Sequence, residues 1–137
     1  MAYYSDNFKD LFDSKIVVDW TKKLWEEHSE KHQLSDFTYT SNLIRDALKN
    51  PSIVLGGFRK MKGGKKQYIM CYYKEHKPKN SIATEYTEID HTKVVVGSES
   101  RTNFVKTVWR KKAFKNFILQ EKKYNFTEIW KNQNCSL

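Results

Sequence analysis

The sequence changes its period at Asn50-Pro51, and that change commits the chain to helix and sheet in succession. Upstream, Leu43, Ile44, Ala47 and Leu48 recur at helical spacing. A residue before proline is pushed out of the helical region, so a helix beginning near Ser41 ends there. Downstream, the apolar residues come in short runs suited to strands: Ser52–Arg59 (SIVLGGFR), Gln67–Lys74 (QYIMCYYK), Lys93–Val96 and Asn103–Trp109. Gly63-Gly64 is a hairpin signal between the first two, and the polar stretch Gly97–Thr102 turns between the last two. The polar excursion from Glu75 to Asp90 holds a candidate short strand at Ala83–Ile89.

The remaining segments read as helical. Tyr3–Asp13 is a candidate short helix with Ser5 as its cap. Val17, Trp20, Leu24 and His28 follow the spacing of a buried helical stripe, and Lys111–Asn132 reads as one or two helices with a break near Asn125. The fold class expected is therefore α+β, with N-terminal helices packed on a four-stranded antiparallel sheet and a C-terminal helical segment. Neither repeats nor a linker divide the 137 residues, so residues 1–137 form a single domain. Eight Phe, eight Tyr and four Trp supply core volume where aliphatic side chains are few.

Charge is the main pointer to partners. The net charge is +9, and residues 1–58 carry seven basic against nine acidic groups, while residues 59–137 carry 18 against seven. Two runs, Arg59–Lys79 and Arg101–Lys123, each hold eight basic residues and one acid. Such asymmetry attracts polyanions, and nucleic acid, RNA above all, is the partner expected. No basic stretch has the strong apolar face that a membrane surface requires, and no run nears the roughly 20 apolar residues that span a bilayer. The N-terminus lacks the charged-then-apolar design of a secretory signal. With only Cys71 and Cys135, far apart and outside any Cys/His ligand spacing, no metal and no cofactor are expected. The default compartment is the cytoplasm.

Three constellations carry candidate chemistry. His28 and His32 stand four residues apart on one helical face (WEEHSEKH), and histidine is the natural proton carrier near neutral pH. His28 also fits the apolar stripe as a core residue, which leaves His32 as the stronger catalytic candidate. In the last strand, NFVKTVWR, alternation places Thr107 and Trp109 on one face, giving a hydroxyl for a phosphate and a ring for a base, with Arg101, Lys106 and Arg110 as nearby charge. The third is the aromatic-basic strand with Tyr68, Tyr72, Tyr73 and Lys74, joined by Arg59 and the turn lysines Lys65 and Lys66; interleaved rings and cations suit single-stranded RNA.

The order of these motifs resembles a known family. A helix with Trp25-x-x-His28-x-x-x-His32, a helix exit Asp46-Ala-Leu-Lys-Asn-Pro51, a glycine turn, an aromatic strand and a last strand Phe104-Val-x-Thr-Val-Trp109 are similar to the barnase/EndoU/colicin D/RelE-like small nuclease superfamily, in particular its phage-encoded branch. Lys31 and Gln33 stand where that pattern has arginine and proline. The resemblance implies a nuclease-like core at about residues 16–112, a C-terminal helical extension over 113–134, and metal-independent RNA cleavage, as a toxin or phage effector. It implies His32 and His28 as acid or base, Thr107 orienting the phosphate, Lys74 or Arg59 stabilising it, and Trp109 or Tyr72 stacking a base. Two rivals use the same basic surface: a nucleic-acid-binding domain without catalysis, and a phage-type inhibitor acting on a target protein. A neutralising partner protein would suit the nuclease reading.

Overall fold

The computed structural model describes residues 3–32, 34, 36–76, 89–124, 126–135 and 137. Among them, seven strands and three helices alternate in the order β1 (Tyr3–Lys9), β2 (Lys15–Thr21), α1 (Lys22–His32), α2 (Phe37–Lys49), β3 (Ile53–Lys60), β4 (Lys66–Glu75), β5 (Ile89–Glu99), β6 (Thr102–Lys112), α3 (Phe114–Lys123) and β7 (Thr127–Lys131). The strands make one sheet in the order β1-β2-β6-β5-β4-β3-β7. All neighbours are antiparallel except β2 and β6, which run parallel through a short ladder at Ile16 and Val17.

The four-stranded antiparallel sheet under N-terminal helices is thus corrected to a seven-stranded mixed sheet. Its inner four strands, β3 to β6, are the ones expected from the sequence. The additions lie at the edges. Tyr3–Asp13 is not a helix: β1 fills Tyr3–Lys9, and β2 buries Ile16, Val18 and Trp20 in strict alternation. Only from Lys22 does the chain become helical, where Thr21 caps α1 by accepting the Leu24 N–H at 3.2 Å. At the other edge, β7 replaces the second half of the expected C-terminal helix and pairs with β3. Residues 83–88 of the expected short strand lie outside the described residues.

Both faces of the sheet are covered. On one, α1 and α2 pack Trp25, Ile44, Ala47 and Leu48 against Val54, Tyr72, Val94, Val96, Val105 and Val108. Asp36 starts α2 by accepting the Tyr39 N–H at 2.7 Å, and the helix ends at Asn50 before Pro51. On the other, α3 packs Phe114 and Ile118 against Ile53, Leu55, Cys71, Tyr73 and Val95. This is why residues 91–97 are buried without interruption. Gly63 and Gly64 take left-handed φ of 86° and 82° in the β3–β4 turn. The β5–β6 turn is shorter than expected, just Ser100 and Arg101, both with positive φ.

Candidate nucleic-acid interface

Strand directions bring three turns to one end of the sheet. Lys60 pairs with Lys66, Ile69 with Gly97, Glu99 with Thr102, and Ile16 with Asn103. The turns at 10–14, 61–65 and 100–101 therefore lie together. This end carries Arg59, Lys60, Lys62, Lys65, Lys66 and Arg101, and among the described residues none of these six is in an ion pair. The four candidates Arg59, Lys65, Lys66 and Arg101 are brought together here. Lys74 and Arg110 are not, because they belong to the opposite end, about 26 Å from Lys66 at the rise of a strand.

An aromatic pair lies next to these cations. Phe58 pairs with Tyr68 across β3 and β4, their rings 5.3 Å apart and edge-on. They are 65% and 46% exposed, so this end of the sheet is left bare by α2. Tyr68 leans diagonally across β3: a Cβ at Gly56 would fall 2.2 Å from its hydroxyl and 2.4 Å from Ile129 Cδ1. Gly56 gives the ring room to lie flat. Alternation places Lys60 two residues beyond Phe58, and Lys66 two before Tyr68, on the same face. Two lysines directly opposite each other repel, and a bound anion relieves that repulsion.

Beside Tyr68 opens a cleft of about 150 Å³, lined among others by Asp10, Phe12, Met70 and Asn103. Asp10 is its structural anchor. One carboxylate oxygen accepts the backbone N–H groups of Phe12 (2.9 Å) and Ser14 (2.8 Å), and the other accepts the Tyr72 hydroxyl at 2.6 Å. Tyr72 is thereby committed to the core at 1% exposure, and its proposed role of stacking a base is corrected. Burial and Asp10 push its hydroxyl pKa far up, so it stays a hydrogen-bond donor.

The other candidates lie elsewhere. Thr107 and Trp109 face α3, and the Trp109 ring already carries the ammonium groups of Lys111 at 3.9 Å and Lys93 at 5.1 Å. Lys93 itself is buried and paired with Glu121 at 2.5 Å. Burial, with Lys93 beside it, pulls the Lys111 pKa down. His28 belongs to the opposite face, where it stacks on Trp20 at 4.7 Å and donates from Nδ1 to the Leu24 carbonyl at 3.0 Å. The last-strand pair and His28 are therefore not assembled into one site. His32 ends α1, and its side chain lies outside the described residues.

Two further histidines carry depressed pKa values. His91 is fully buried with Nδ1 2.7 Å from Asp90; burial outweighs that carboxylate and lowers its pKa. His76 is lowered by burial and by Lys74 and Arg110, against Asp46 and Asp90. Among the described residues no group of three or more His, Cys, Asp or Glu is placed to hold a metal ion. Both cysteines are free, and burial pushes the Cys71 thiol up to about 11. No helix of the described residues is long and apolar enough to cross a membrane.

No known protein family, curated protein or solved structure matches this chain. Phe58 and Lys60 are among the residues that sequence reasoning passed over. A signal existed for Phe58, since strand alternation sets it opposite an aromatic strand and two residues before a lysine.

Proposed function

We propose that the protein binds single-stranded nucleic acid, RNA foremost, at the turn end of its sheet. The observation that carries this is the exposed Phe58–Tyr68 pair with Lys60 and Lys66 on the same face. Exposed aromatic rings take unstacked bases, which a duplex does not offer, while lysines one step along the strand meet the backbone phosphates. The step between the two rows is about 7 Å, close to the spacing of an extended single strand. Lys62, Lys65, Arg59 and Arg101 widen the positive field that draws the strand in. The cleft beside Tyr68 receives the next base. Free thiols at Cys71 and Cys135 suit a reducing cytoplasm.

The test is fluorescence anisotropy with a labelled 12-nucleotide RNA and its duplex across a salt series. Single-stranded RNA binds more tightly than the duplex, and Phe58→Ala or Tyr68→Ala each weakens it about 5- to 150-fold, the worth of one stacked base. Equal affinity for the duplex, or unchanged binding by both variants, overturns the reading.

A further inference from the structure

The opposite end of the sheet holds a second cationic arrangement of different construction. Lys74 of β4 pairs with Thr92 of β5, and Thr92 pairs with Arg110 of β6. Residues paired in this way project from one face, here the face that α2 covers further along. Lys74 and Arg110 are two strands apart, about 10 Å at their Cα atoms, with a hydroxyl between them. His76 places Nε2 2.9 Å from that hydroxyl. Arg110 rests its guanidinium 5.9 Å over the Tyr39 ring of α2, and its buried Nε–H has no hydrogen-bond partner among the described residues.

Among the described residues, the carboxylates nearby leave both cations available. Asp90 is already occupied, with one oxygen on His91 and the other accepting the Phe114 N–H at 3.1 Å. Asp46 of α2 acts on His76, yet no carboxylate lies within 4.0 Å of Lys74 or Arg110 among the described residues. A carboxylate can bridge two cations with its two oxygens, but its single charge balances only one of them. A phosphate has oxygens enough for an ammonium, a guanidinium and an imidazole or hydroxyl at once, and its two charges match the two cations.

We propose that Lys74 and Arg110, on either side of the buried Thr92 and backed by His76, form a binding site for a phosphate group. Long side chains close on the anion from the two outer strands, and Arg110 brings the unpaired Nε–H as part of its planar fork. With the site empty, burial lowers the His76 pKa, and Lys74 and Arg110 add to this against Asp46 and Asp90, so the neutral imidazole is favoured. A bound dianion reverses that balance and favours the imidazolium, so His76 takes up a proton as the phosphate enters. The site does not depend on the aromatic pair at the far end, and either can fail without the other.

The phosphate has two possible sources, a strand end or a free phosphate compound, and one titration series separates them. Inorganic phosphate, pyrophosphate, and a heptanucleotide RNA with either a 5′-phosphate or a 5′-hydroxyl are titrated by calorimetry. A preference for the 5′-phosphorylated strand that Arg110→Ala removes assigns the site to strand ends. Saturable pyrophosphate or phosphate binding without that preference assigns it to free phosphates. In either case Lys74→Ala and Arg110→Ala weaken binding about 10- to 100-fold, as for hydrogen bonds between charged groups, whereas the exposed helix residue Lys115→Ala leaves it unchanged. His76→Gln flattens the pH dependence of affinity relative to wild type between pH 6 and 8. Thermal melts of all variants check that they are folded. Equal losses from Lys115→Ala, or no saturable binding of phosphate or pyrophosphate together with equal affinity for the two heptanucleotides, overturn the proposal.

Discussion

The two ends of the sheet are both positive but hold their charge in opposite ways. At the turn end, Lys60, Lys62, Lys65 and Lys66 fan out from a two-strand hairpin into solvent, beside rings that α2 does not reach. At the helix end, Lys74 and Arg110 come from strands with a third between them, over a buried threonine. Exposed lysines on flexible stems are screened within about 8 Å at physiological salt and attract any polyanion. Two half-buried cations on either side of a fixed hydroxyl would select by geometry and be screened less. On the proposed readings, one end serves affinity along a chain and the other the capture of a single group.

This contrast gives an order of expected effects. The largest is the double variant Phe58→Ala/Tyr68→Ala, which lowers single-strand affinity by more than about 100-fold while leaving pyrophosphate binding at wild-type strength. If both activities fall together, the two ends are one site and the comparison breaks. Next, Lys60→Ala with Lys66→Ala reduces the slope of log affinity against log salt by about 1.4, the contribution of two contacts to a single strand. Pyrophosphate binding, measured beside it, keeps its slope.

A smaller effect separates ring position from ring identity. In Gly56→Ala the new methyl displaces the Tyr68 hydroxyl and Ile129 Cδ1, both ends of side chains able to swing. Single-strand binding weakens a few-fold, on the order of 1 kcal/mol, while the melting temperature barely moves. A melting temperature lowered as much as by a core substitution such as Ile44→Ala would mean that Gly56 serves the fold instead. The last test asks for no effect. With excess EDTA, total RNA stays intact with wild-type protein; cleavage that His32→Ala abolishes would restore the histidine helix as a catalytic site.

Acid stability sharpens the view of the helix end from the folded state alone. His76 and His91 have folded pKa values below their unfolded ones. Above the unfolded value, near 6.5, both states are neutral and neither group affects stability. As pH falls through it, the unfolded chain takes up protons that the folded chain refuses, and stability drops. Urea midpoints therefore fall between pH 7.5 and 5.5, and saturating pyrophosphate reduces the part due to His76.

Much of the sheet was readable because its inner strands are local hairpins with strong turn residues. Gly63-Gly64 and the nearly continuous apolar and aromatic run of β4 required no long-range knowledge. The edges were different. Tyr3–Lys9 (YYSDNFK) is an edge strand with little apolar content, and its partner KIVVDWT contains Val17 and Trp20 at a spacing that mimics the following helix. Alternation at Ile16, Val18 and Trp20 was the better signal. Thr127–Lys131 follows a real helix and is too short to announce a strand. The site shows the same limit. Tyr68 and Tyr72 share one face of β4, and only the placement of Asp10 and α2 decides that one is exposed and the other sealed. The Lys74–Thr92–Arg110 row depends on register between residues up to 36 positions apart.

The parallel contact of β2 with β6 sets a constraint in time. Ile16 and Val17 meet Asn103 and Phe104, so the first hairpin has no strand neighbour on its inner side until more than 100 residues have been made. Contacts of such sequence separation slow folding, because a long loop must close before they are rewarded. During synthesis, Ile16 and Val17 lack their sheet neighbour while β3, β4 and β5 are made, and the last hairpin acts as the clasp that draws the N-terminal one into the sheet.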